Sequence, residues 1–142
     1  MNNLPAHPVR QNIDALQNAM AQLPQLEMET RHYFADGMYC RELFIPAGSV
    51  LVGKVHKTEH FFLLTKGRLR VVSEFGEHEL EAPAVLVSPP GIKRAGFAIS
   101  DVVCCNVHRT FKTDLDELEA DLIEPEGPKL FDARNKLIAR ES

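Results

Sequence analysis

Turn signals recur along this chain at intervals that leave room only for short strands. Asp36-Gly37, Pro46-Ala47-Gly48, Gly67, Phe75-Gly76 and Pro89-Pro90-Gly91 cut residues 27–109 into pieces of about seven to twelve residues, apart from 49–66 and 92–109, which are long enough for two short strands each. The pieces are rich in β-branched and aromatic residues, which suit a pleated, half-buried surface. Strands are predicted over Glu27–Phe34, Met38–Ile45, Leu69–Glu74, Glu77–Glu81, Ala84–Ser88, Phe97–Ile99 and Asp101–Arg109, with two more inside residues 48–67. Strands this short and this regularly spaced specify an antiparallel sandwich or barrel. Helices are predicted only at the ends. Val9, Ile13, Leu16, Met20 and Leu23 recur at helical spacing and form one apolar stripe, ended by Pro24. A second helix starts at Thr113-Asp114, whose acidic first turn suits the positive end of the helix dipole, and runs to about Ile123. The chain divides into an arm and helix (1–26), one β domain (27–112), and a C-terminal helix and tail (113–142). The tail reads as a linker with a short helix, either packed on a neighbour or mobile.

The stretch Gly48–Gly67 carries the chemistry. It reads as two strands joined by a polar turn, with His56 and His60 at the two ends of that turn. Residues so placed approach each other across a hairpin, so two imidazoles enter one space. A metal needs a third donor. On the last strand Val102, Cys104, Asn106 and His108 share one face, and a buried face ending in Asn and His points to a polar pocket. His108 is therefore the third candidate ligand and Asn106 a candidate ligand-binding residue. Among the other histidines, His7 lies in the N-terminal arm and His78 in a charged hairpin, whereas His32, near a strand end, is either core or site.

These residues also carry a resemblance. Gly48, His56 and Gly67 fall on the first motif of the cupin superfamily, G-x5-H-x-H-x3-E-x6-G, with Lys54 in place of its first His and His60 in place of its Glu. Pro89 and Gly91 fit the P-x-G of the second motif, where Arg94 replaces the His, Pro83 the Gly and Ala98 the Asn. With KVHKTEH, PPGIKRAGFA and CCNVHRT, the whole chain is also similar to cupin-like proteins encoded by tailed bacteriophages. The resemblance implies an antiparallel cupin-type β-barrel (a jelly roll) behind the N-terminal helix. It implies that Lys54 and Arg94 stand where the family has metal ligands, which a protonated amine or a guanidinium cannot be. Two cations beside an imidazole cluster attract an anion instead. Lys93 reads as a solvent-exposed neighbour of Arg94.

Composition narrows the function classes. A net charge of −4 excludes the basic surface of a non-specific nucleic-acid binder. No apolar run approaches the roughly 18 residues of a membrane span, so no membrane partner is expected. The N-terminus lacks the charged-then-apolar order of a signal peptide, and three cysteines, two of them adjacent on a strand, argue for a reduced chain. The expected location is the cytoplasm, that of the host if the chain is phage-encoded. Two readings follow. One is an enzyme with a single divalent ion (zinc, iron, manganese or nickel) on His56, His60 and His108, and an anionic substrate at Lys54 and Arg94. The other is a metal-free module that sequesters a small anion. A scaffold without chemistry is a third, blander one. A homodimer is expected, because Phe61 and Leu63 make the outer side of their strand apolar.

Overall fold

A computed structural model describes residues 7–126 and 129–138 of the 142-residue chain. The elements, in order, are α1 (Pro8–Met20), β1 (Thr30–Ala35), β2 (Met38–Ile45), β3 (Val50–Val52), β4 (His60–Lys66), β5 (Arg68–Ser73), β6 (Gly76–Glu81), β7 (Ala84–Ser88), β8 (Ala95–Ala98), β9 (Val102–Arg109) and α2 (Leu115–Leu122). Among the described residues no helix is long and apolar enough to cross a membrane.

The strands form two antiparallel sheets, one ordered β1-β2-β9-β4-β7 and the other β3-β8-β5-β6. This corrects the expected barrel. Each sheet keeps its own two edges, β1 and β7 in one, β3 and β6 in the other, and no hydrogen-bonded ladder among the described residues joins them. The sheets instead face each other as an open sandwich, glued by apolar side chains. Ile45, Leu64, Leu69, Val71, Ala98, Val102 and Cys104 form the core between them. Alternating apolar residues require each strand to have an inner face, a demand met equally with or without closure.

A second correction concerns residues 48–67. The strands β3 and β4 are not a hairpin. β3 pairs with β8, and β4 pairs with β7 and β9, so residues 53–59 cross from one sheet to the other. Gly67 then turns the chain straight back. Its φ is +88°, and a Cβ there would lie 2.1 Å from the carbonyl oxygen of Asp101, so no other residue fits.

The helix α1 begins at His7, whose Nδ1 accepts from the Val9 amide, and ends at Met20, before Pro24. It packs against β3 and β5 of the four-stranded sheet through buried Ile13. Lys93, expected in solvent, is only 2 % exposed. Its ammonium pairs with Asp14 and donates to Gln17 Oε1 at 2.6 Å and Glu126 Oε2 at 2.9 Å. Arg10 adds bonds to Glu126 (2.8 Å) and to the Gly91 carbonyl (3.1 Å). The cluster thus ties α1 to the Pro89–Arg94 loop and to the segment after α2. An ammonium can be buried this way only because carboxylates reach it. Lys93→Met is expected to lower stability by about 2 kcal/mol, less than for a fully buried pair because Asp14 stays half-exposed. Urea unfolding checks this, and an unchanged midpoint would show the cluster to be energetically neutral.

The tail differs from expectation as well. Residues 129–138 contain no helix; Phe131 and Leu137 bridge back on each other. Asn135 donates to Thr30 Oγ1, and the Leu137 amide to Glu27 Oε1, so this part of the tail packs on its own chain.

Candidate metal centre and its cavity

Strand register places the site. On the inner face of the five-stranded sheet, Tyr39 lies opposite His108, and His60 opposite Ser88. The pairing of Phe61 with Val107 sets His60 abreast of His108, which makes one polar row across the sheet. The next row runs Arg41, Asn106, Phe62, Leu86, and the one below is Leu43, Cys104, Leu64, Ala84. Chemistry is therefore confined to one end of the sandwich, above an apolar floor.

His56 arrives from the crossing segment, and its backbone is held on both sides. The Lys57 amide donates to the Leu122 carbonyl (2.7 Å) and the Glu124 amide to the Val55 carbonyl (2.9 Å). On the other side the Gly91 amide donates to the His56 carbonyl (3.0 Å), and the Gly53 amide to the Arg94 carbonyl (2.8 Å). So α2 and the Pro-Pro-Gly loop together aim this ring.

The three rings converge. Their ligand nitrogens lie within 4.8 Å of one another, and ring centroids are 4.2 to 4.9 Å apart. His60 Nδ1–H donates to the Thr58 carbonyl (3.0 Å), which leaves the Nε2 lone pair for the cluster. His56 Nδ1 and His108 Nε2 share a hydrogen bond of 3.1 Å, while His108 Nδ1 is buried without a partner among the described residues. Burial, reinforced by the neighbouring rings, pushes His56 down to about 2 and His108 down to about 4. Burial lowers His60 too, against the opposing pull of its bond to Thr58. All three are neutral imidazoles at pH 7, the form that binds a metal. The donor set fits a divalent ion: three nitrogens at the spacing of adjacent ligands, one orphaned polar atom, and rings already held without charge.

The cluster opens onto a cavity of about 160 Å³. Lys54, Arg94 and Asn106 line it, as the sequence suggested, and so does Arg41, which it did not single out. Arg94 donates to Ser88 Oγ at 2.7 Å. Arg41 and Lys54 make no hydrogen bond or ion pair among the described residues, and burial pushes both below their ordinary values. Both guanidiniums stay charged. Among the described residues one carboxylate lines the cavity, Glu119 of α2; one of its oxygens pairs with Lys129 (3.0 Å) and the other is buried without a partner there. In a chain of net charge −4, three basic groups against one acid reverse the overall sign locally.

The second residue group that sequence reasoning missed is the cover. Leu118 and Leu122 of α2 are buried against Tyr39, with Leu115 and Ile123 beside them, and these leucines line the cavity. Asp114 caps α2 through the Asp116 and Glu117 amides. His32 stands outside the cluster, sharing a 2.7 Å hydrogen bond with the Tyr39 hydroxyl. Glu42 lies on the outer face of β2, away from the cavity, and accepts from Tyr33 Oη (3.0 Å).

No protein-family model matches the chain, and no curated protein matches it in sequence. Solved structures do match in shape. Salicylate 1,2-dioxygenase of Pseudoaminobacter salicylatoxidans, in adduct with gentisate, superposes with a TM-score of 0.52 at 14% identity, over 69% of this chain and 30% of its own length. KdgF from Halomonas sp. matches with a TM-score of 0.53 at 12% identity, over 64% of this chain and 87% of that one. The Cnp3 cupin domain of Schizosaccharomyces pombe matches at 0.50 and 17%, over 70% and 74%. This chain thus spans less than a third of the dioxygenase. At these identities the likeness is one of fold, and the fold is cupin-like.

Proposed function

We propose that the protein binds one divalent transition-metal ion through His56, His60 and His108, and a small anion through Arg41, Lys54 and Arg94. The single observation that carries this reading is the juxtaposition of three neutral, convergent imidazoles with three basic groups that outnumber the one carboxylate beside them, Glu119. A divalent ion held there supplies Lewis acidity toward a bound oxygen. The side chains do the rest. Arg94, steadied by Ser88, and Arg41, rising from the sheet, orient an anion between them; α2 excludes water, which strengthens each of these contacts. Metal analysis of untagged protein tests this, with one ion per chain expected. Arg94→Ala should then weaken anion binding at least about tenfold and leave the metal in place.

The 3.1 Å bond between His56 and His108 favours a second reading, the metal-free module that sequesters an anion, because two of the rings already satisfy each other. Protein that takes up no zinc, manganese, iron or nickel yet binds an anion decides for it. A setting in the cytoplasm of a bacterial host, for either reading, rests on the sequence resemblance to phage-encoded proteins alone, and none of the structures compared above is a phage protein.

A homodimer is part of the proposal. α1 lies on the four-stranded sheet, so it does not cover the outer face of the other one. There Phe61, Val85 and Val87 remain 50 to 65 % exposed. Sedimentation is expected to give a dimer at micromolar concentration, and Val87→Lys a monomer. A wild-type monomer would remove the second subunit from the proposal.

A further inference from the structure

The cavity that holds the basic groups is mostly apolar, and this selects among anions. Phe62 and Leu86 in the second row, with Leu43, Leu51, Leu69 and Val71, make up its apolar walls. Its floor is shut by the core, where Ile45, Leu64, Ala98 and Val102 are at most 2 % exposed. Every basic group stands at one end, near the histidines, and none reaches the floor. We infer that the cavity takes a monocarboxylate with a compact, ring-sized apolar body: headgroup against Arg41, Lys54 and Arg94, body among the leucines. This rests on the anion reading above and sharpens it.

Three physical arguments lead there. An inorganic anion fills only the polar end, leaving the rest to water, which needs two to four polar partners that leucines do not offer. A volume of about 160 Å³ is close to that of Leu/Ile/Phe-lined cavities of about 150 Å³ that stay dry and admit benzene. It is too short for a fatty acyl chain, because the closed floor gives such a chain no exit. A carboxylate suits the headgroup end better than phosphate does. Its single charge costs less to desolvate, and its two oxygens match one guanidinium fork.

Calorimetry on the full chain, both zinc-loaded and chelator-stripped, tests the inference. The probes are benzoate, cyclohexanecarboxylate, acetate, phosphate, octanoate and the neutral benzamide. The two ring acids are expected to bind about fifty-fold more tightly than acetate, and benzamide to lose most of that affinity. Acetate or phosphate binding as tightly as the ring acids would overturn the apolar body and leave the anion reading standing. If octanoate equals benzoate, the size limit falls. Benzamide equal to benzoate overturns the carboxylate, and no binding by any of the anions overturns the anion reading with it.

Discussion

Replacing His56 by alanine is expected to abolish metal binding under conditions where the wild type takes up one ion, with the protein still folded. His56 belongs to no strand and packs into neither hydrophobic cluster; its carbonyl accepts from the Gly91 amide, and its neighbours Val55 and Lys57 bond to Glu124 and Leu122, all backbone contacts that alanine leaves intact. The loss is large because few donors are present. Structural zinc sites gain roughly 10–16 kcal/mol from four ligands, so one ligand accounts for about 3 kcal/mol, or about a hundredfold in affinity. Two imidazoles then remain, and among the described residues no carboxylate joins the cluster within 4.8 Å to replace the third. His60→Ala and His108→Ala should do the same. His78→Ala, in an exposed hairpin, should change nothing. Metal content after dialysis, with a circular-dichroism spectrum to certify folding, measures all four. A His56→Ala protein that keeps its metal would remove this residue from the site and leave the hydrogen-bonded ring pair without a function.

How much of this was legible in the sequence depends on the range of the interaction that set each feature. Met38–Ile45 and Ala84–Ser88 are strands with the bounds their alternation and flanking turns imply, since both signals are local. Sheet closure was not legible, because β3 and β6 keep free edges for reasons of long-range pairing that no local pattern records. Parity put His108 and Asn106 on an inward face correctly, whereas the hairpin invoked to bring His56 beside His60 does not exist. The rings meet because residues 53–59 cross between sheets. Arg41 had a signal: a cation on a strand face otherwise made of Tyr39, Leu43 and Ile45. Lys93 and Arg94 show the limit of parity. Adjacent side chains point apart, so one of them had to leave the cavity, but only the docking of α1 turned that exit into a buried ion pair. The place of α2 over the cavity was equally hidden, since its stripe of leucines says that the helix is covered and not by what.

Metal-free protein is expected to lose about 3 kcal/mol of stability between pH 7 and pH 5. The folded state holds His56 and His108 far below the ordinary histidine value, at about 2 and about 4, chiefly because burial penalises the charged ring; His60 shifts the same way. In the unfolded chain each ring takes up a proton near pH 6.5. Between the two values the unfolded state binds more protons than the folded one, so stability falls as the pH falls. The contribution is complete above pH 6.5 and erodes by up to about 1.4 kcal/mol per pH unit per ring until the folded value is reached. Three rings acting together would exceed the figure given; the partial exposure of His56 and solvent screening reduce it. One further ring adds to the fall in this window, because burial lowers His32 in the same direction. Asp132, held low by the Lys136 and Arg134 amides, loses its contribution only below its unfolded value of 3.8. Urea unfolding at pH 7 and pH 5 in the presence of a chelator measures the change directly. His56→Gln, which keeps a polar side chain but cannot titrate, should lessen the slope by one ring's share. Equal midpoints at the two pH values would mean that the rings take up protons in the folded state, and the cluster would then not be the neutral donor set that a metal requires.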